Sequence, residues 1–196
     1  VIRMSLEVLR ESASPTDLTL VVVGRKARDY YRRRPWTIKR QMVGFWDRLA
    51  YGHAQELADF FMQQYLDGEV DEVHLFYTQF VSTLVQRPFR RQLLPVQPPA
   101  EFESRYLDYL YEPDPQTVLG QLLPRFVEVQ VYQAVLEAIA SEHSARMVAM
   151  HNATQNARDI IRDLTLSYNK TRQASITKEM LEIASGAEAL RQATAG

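Results

Sequence analysis

The sequence predicts an α/β fold: an open Rossmann-like sheet with flanking helices, followed by a very long C-terminal helix. Three observations carry this reading. Helix and strand signals alternate over the first half of the chain. The run LTLVVVG at 18–24 is apolar almost throughout and ends in glycine, as a buried parallel strand does. From Arg125 to Ser185 there is neither Gly nor Pro, which allows an unbroken helix of roughly 90 Å.

The elements follow in order. VIRMSLEVLRE at 1–11 puts Ile2, Leu6 and Leu9 on one helix face, and a helix that opens at Val1 without a cap suggests residues upstream. SASPTD is a turn-rich break, and the strand at 18–24 follows it. RKARDYYRRR at 25–34 reads as helix until Pro35 stops it. The short stretch 36–46 is β-rich. In 53–68, Leu57, Phe60, Phe61 and Tyr65 share a helix face and Gly68 ends the helix. The stretch 69–80 is a strand. The next one, within 82–95, lies at an edge because Pro88 interrupts it, and these last two strands are expected to pair antiparallel. VQPPAEFES is a loop, 108–115 is a turn rich in Tyr and Pro, and Pro124 is expected to bend or restart the helix that follows. The chain thus divides into an α/β part over 1–107, a connecting turn and short helix over 108–124, and the long helix over 125–196.

That helix carries Leu136, Ile139, His143, Met150, Ala153, Ala157, Ile160 and Leu164 on a 3–4 spacing, broken only at Arg146. The spacing is that of a coiled-coil seam, and the globular part is too short to cover it. Glu142 and Arg146 stand at the helix-supporting i,i+4 distance. Past Leu164 the seam gives way to YNKTRQASITKE at 168–179, where nearly every side chain is polar, small or charged.

Bulk composition narrows the function. The chain has 196 residues, a net charge of −1 and 46% hydrophobic residues. It is long enough for a real core, and its balanced charge argues against a protein built mainly to grip nucleic acid. Cysteine is absent, which excludes disulfides, thiol catalysis and cysteine-ligated metals. No apolar run approaches the roughly 18 residues of a membrane span, and no signal peptide opens the chain. Cytosolic or membrane-peripheral placement fits. Gly24 stands alone after its strand, so neither G-x-G-x-x-G nor a phosphate loop is present. His143 and His151 lie two turns apart rather than at the i,i+4 spacing of helical metal ligands, and no nucleophile signature is visible. Arg32, Arg33 and Arg34 suit phosphate or an acidic protein surface, and equally a solvated helix end.

The stretch 141–190, with its elements ARMVAM, NAT..NA and YNK.RQA.IT.E..EI..GA.AL, closely resembles the C-terminal helix of the gamma subunit of rotary ATP synthases. YLYEPDP at 109–115 and FVEVQVYQAVLEAIASE at 126–142 match further landmarks of that family. The resemblance covers essentially the whole chain, and it lacks two family features: the N-terminal helix, and a first strand with a D-R-G-L-C-G-G-like segment. Roughly the first third of such a subunit is therefore expected to be missing, leaving the globular foot incomplete at its N-terminus.

The resemblance implies a non-catalytic rotor subunit. Its long helix would form half of an antiparallel coiled coil that turns inside the alpha/beta ring and couples proton flow to ATP synthesis or hydrolysis at the beta subunits. Arg172, Gln173, Thr177 and Glu179 match positions that touch the beta subunits. Tyr111, Glu112 and Asp114 would face the epsilon subunit and the membrane c-subunit ring. No catalytic residue, cofactor, metal, nucleic acid or direct membrane insertion is implied. The expected location is the cytoplasmic face of a bacterial plasma membrane, or the matrix or stromal side in an organelle. The competing readings are a small α/β enzyme with a coiled-coil oligomerisation arm and a coiled-coil adaptor for unrelated partners.

Overall fold

The structure, a computed structural model, describes residues 1–11, 18–46, 48–97, 112 and 114–194. The chain forms two compact units, Val1–Ala145 and Arg146–Gly196. The first holds α1 (Ile2–Glu11), β1 (Thr19–Val23), α2 (Arg25–Tyr31), β2 (Thr37–Met42), α3 (Tyr51–Leu66), β3 (Val73–Phe80) and β4 (Gln86–Leu94). The last helix, α4 (Pro115–Thr194), begins in the first unit and supplies the second.

β1 and β2 pair parallel, and β3 and β4 pair antiparallel. Among the described residues these are two separate two-stranded ladders rather than one hydrogen-bonded sheet. They nevertheless share a core. Ala54, Leu57 and Ala58 of α3 pack with Leu93 and Leu94 of β4 and Val127 and Val131 of α4, and Val21, Val23, Met42, Val73 and Leu75 close around them. The other face of β1 is covered as well: Val22 and Tyr31 are buried with Ile2, Leu6, Leu18, Leu20 and Ile38 against them. Alternate residues of β1 thus feed two hydrophobic layers, which is why its sequence is continuously apolar instead of alternating.

β2 contributes to both layers by a different device. Its register against β1 slips between Leu20 and Val21, where Leu20 faces Ile38 and Val21 faces Arg40, leaving Lys39 as the extra residue of a bulge. In a regular strand Ile38 and Met42, four apart, would point to the same face. The extra residue reverses the parity. Ile38 therefore enters the layer of α1 and α2, while Met42 enters the layer of α3 and α4.

Two tyrosines tie helices to this frame. The Ser5 Oγ donates to the Ile2 carbonyl at 3.0 Å, and the Tyr31 hydroxyl, 2.5 Å away, donates to Ser5, joining α1 to α2. Tyr51, the first residue of α3, donates to the buried Glu128 of α4 at 2.6 Å, and Arg125 donates to the same oxygen at 3.4 Å. The bond that Tyr51 donates to the Glu128 carboxylate, then burial, raise the Tyr51 hydroxyl above the ordinary tyrosine range.

α4 starts ten residues earlier than the sequence suggests. Pro124, expected to bend or restart the helix, lies inside one continuous helix. The hydrogen bond it forfeits is the one to the carbonyl of Gly120. Gly120 is exposed, so water can satisfy that carbonyl and the cost stays tolerable.

Candidate partner-binding surface on the long helix

Asp114 and Pro115 set the start of α4. Asp114 stands at the N-cap position and accepts from the Thr117 backbone N–H at 2.9 Å and from the Thr117 hydroxyl at 2.6 Å. Pro115 occupies the first helical position, where a missing N–H costs nothing. Glu112 is exposed just before it. Tyr111, grouped with these two in the sequence reading, lies outside the described residues, as do the loop and turn residues 98–110.

Within the first unit α4 is held on one face. Val127, Glu128, Val131, Ala134, Val135, Ser141 and Ser144 are buried, a 3–4 pattern that follows one side of a helix. Ser141 donates to the Thr78 carbonyl at 3.2 Å and Ser144 to the Thr83 carbonyl at 2.8 Å, so the end of β3 and the turn after it clasp the helix. Arg91 of β4 donates to Gln130 from the same side. Nothing local in the sequence marks these two serines, because their partners lie more than 60 residues away.

The expected seam behaves differently. Leu136, Met150, Ile160 and Leu164 are 42–64% exposed, and Ala153, Ala157 and His143 are exposed too, while Ile139 is half-buried. Met147, Ile161 and Tyr168, which the single 3–4 series passed over, are 58–66% exposed. They widen the stripe by a second 3–4 series: Met147, Met150, Thr154, Ala157, Ile161, Leu164 and Tyr168. In the second unit every side chain except those of Val148 and Asp159 is exposed through Thr194. The row leaves methyl and sulfur groups open to solvent along this side of the helix.

Arg172, Gln173, Thr177 and Glu179 are all exposed, and none is hydrogen-bonded or ion-paired among the described residues. At about 100° per residue, Gln173 and Thr177 stack one above the other, and Arg172 and Glu179 share a second line roughly a third of a turn away. The helix brings the four together as two pairs, and it keeps both off the line of Ile160 and Leu164. Around them only weak intrahelical pairs form, such as Lys178 to Glu182 at 3.8 Å and Arg162 to Asp159 at 3.7 Å. Among the described residues no cluster of His, Asp or Glu stands ready for a metal ion, and no helix is long and apolar enough to cross a membrane.

Comparison with known proteins bears on this surface. Residues 1–190 match the family model described as ATP synthase. The ATP synthase gamma chain of Pelotomaculum thermopropionicum is 50% identical over 191 residues, covering 97% of this chain and 66% of the relative. That of Roseiflexus sp. strain RS-1 is 51% identical over 190 residues, with the same shares covered. The chain thus spans just under two thirds of the length of these relatives. Its fold is similar to a chain in the central stalk and c-ring structure of Tetrahymena thermophila mitochondrial ATP synthase, with a TM-score of 0.58 and 23% identity over 79% of this chain and 67% of that one. It is also similar to a chain of the Euglena gracilis mitochondrial ATP synthase rotor, with a TM-score of 0.53 and 18% identity over 89% of this chain and 68% of that one.

Proposed function

The chain belongs to the ATP synthase gamma-chain family, and on that footing we propose that it is a central-stalk rotor subunit of a proton-translocating ATP synthase. It is non-catalytic. It turns inside the alpha/beta ring and passes rotation to the beta subunits, where nucleotide chemistry takes place. The observation that carries this reading is the surface of residues 146–194, which combines an open apolar stripe with a polar stretch whose hydrogen-bonding groups are unspent.

The two kinds of surface suit two kinds of contact. A stripe of Met, Ala, Ile and Leu at 3–4 spacing is suited to a permanent helical partner. Apolar burial contributes about 25 cal/mol per Å2, enough to hold such a partner through every turn. A contact that must form and release in each cycle is better made of hydrogen bonds, each contributing only about 0.5–1.5 kcal/mol net. Arg172, Gln173, Thr177 and Glu179 offer such bonds to the beta subunits. Glu112, Asp114 and Tyr111 face the epsilon subunit and the c-ring, and the complex sits peripherally on the membrane, on the cytoplasmic side in a bacterium.

The test is the double substitution Arg172→Ala, Gln173→Ala in the assembled enzyme. A lost bond to a charged group costs about 1.5–3 kcal/mol, so coupled synthesis and hydrolysis are expected to slow by about tenfold or more, with the circular dichroism of the isolated chain unchanged. Full turnover and proton pumping in the variant would remove Arg172 and Gln173 from the contact.

A further inference from the structure

The basic segment after β1 is not used by the stalk reading. Residues 25–41 hold eight of the chain's 23 Lys and Arg residues and one acid, Asp29. Such crowding in a chain of net charge −1 is unfavourable by self-repulsion unless something anionic answers it. The cations are also shaped. Arg28, Arg32, Ile38, Lys39, Arg40 and Gln41 line a groove of about 450 Å3 between α2 and β2. Ile38, Lys39, Arg40 and Gln41, the consecutive residues around the bulge, form its β2 wall.

The pairings leave the groove receptive. Arg28 is bonded to Asp29 at 2.8 Å, Lys39 to Glu69 at 3.3 Å, and Arg40 to Glu56. All three acids are more than half exposed, and surface pairs of this kind are weak and readily exchanged. Arg32 has no ion pair among the described residues. Arg34 is held over the Tyr30 ring at 4.9 Å and Arg40 over the Phe60 ring at 5.0 Å. Eight cations thus stand against three acids, and Arg28, Arg32, Lys39 and Arg40 are among the residues that line a concave space. Guanidinium forks match the oxygen geometry of phosphate, and a phosphate carries the charge to outbid an exposed carboxylate.

We propose that the groove between α2 and β2 is a binding site for a phosphate-class anion, held by Arg28, Arg32 and Lys39. The proposal stands independently of the stalk reading. The anion is either a soluble polyphosphate compound or the headgroup of an anionic phospholipid, and the two sources are separable by experiment.

Inorganic pyrophosphate would be titrated into the 196-residue chain at low salt by isothermal calorimetry. Saturable one-site binding is expected. It should weaken about tenfold or more in Arg32→Ala, Lys39→Ala and by less than about twofold in Lys26→Ala, Arg33→Ala, which removes the same charge outside the groove lining. Arg32→Gln alone gives the same reading should the double variant fold poorly. In parallel, the chain would be sedimented with phosphatidylcholine vesicles, with and without phosphatidylglycerol. Binding confined to the anionic vesicles and lost in the groove variant identifies a lipid headgroup, and pyrophosphate binding without it identifies a soluble phosphate compound. The proposal is overturned if neither probe saturates, if both double variants lose binding equally, or if a polyglutamate peptide competes as well as pyrophosphate.

Discussion

Asp114 accepts two bonds from a single residue, and the hydroxyl of Thr117, then its backbone N–H, draw the carboxyl below the ordinary aspartate value of 3.8. The bonds favour the charged form, so the folded pKa lies beneath the unfolded one. The stabilisation is therefore complete above the unfolded value and is lost as pH falls from about 3.8 through the folded pKa. Its effect is local, because it concerns the first turn of α4. The protection of the Thr117 and Val118 amides, measured by NMR exchange relative to the intrinsic rate at each pH, is expected to fall as the solution is acidified through that window. Asp114→Asn retains a good cap and should flatten the pH response, whereas Asp114→Ala should expose the same amides at every pH. A wild-type response equal to that of the Asn variant would show that the carboxylate does not cap the helix in solution. The same geometry separates the two proposed contact residues. Both carboxylate oxygens of Asp114 are engaged, while Glu112 is exposed with no partner among the described residues, so Glu112 is the freer to meet another subunit.

Among the elements, β2 shows most plainly how pairing overrides pattern. Its one-residue bulge lets Ile38 and Met42 serve opposite layers. Deleting Lys39 removes the extra residue and turns one of them toward the wrong face. Unfolding in urea is expected to show a loss of about 1.5–3 kcal/mol, comparable to exposing one large apolar side chain. Lys39→Ala, which keeps the residue count, should stay within about 1 kcal/mol, the range of a surface ion pair. Equal losses for the two would mean that the bulge has no structural role. This parity change was not legible in the sequence, because a bulge is decided by the partner strand and not by the bulged residues. What hydrophobic periodicity controls locally is legible: β1, α3 and the antiparallel β3–β4 pair with Pro88 inside it. Pro124 does not restart the helix, although local propensity points to a break there. On α4 the sequence singles out one 3–4 series, and Met147, Ile161 and Tyr168 beside it are exposed as well. Tyr51 with Glu128, and Ser144 with the Thr83 carbonyl, pair residues far apart in the chain, which no window of sequence can connect.

For the molecule as a whole, α4 lives in two environments. In the first unit Val127 and Val131 are each 2% exposed, and Ser141 and Ser144 are hydrogen-bonded to the backbone around β3. Opening the helix there means breaking core contacts as well as helical bonds. In the second unit nearly every side chain is exposed, so the helix rests on propensity and on i,i+3 and i,i+4 pairs of about 0.2–0.5 kcal/mol each. Helices without a packed face are marginal and open readily. Hydrogen exchange with mass spectrometry on the isolated chain is therefore expected to protect residues 127–144 at least about tenfold more than residues 150–190. In the assembled synthase the second segment should gain protection and the first should change little, since the first is already packed on one face and the second is exposed nearly throughout. The pattern would also divide that stripe from the polar stretch: a permanent helical partner protects the amides around Met150–Leu164 continuously, whereas a contact renewed with each turn leaves those around Arg172–Glu179 intermediate. If residues 150–190 are as protected in the free chain as in the complex, the helix is self-sufficient, and the argument that its stripe awaits a partner fails.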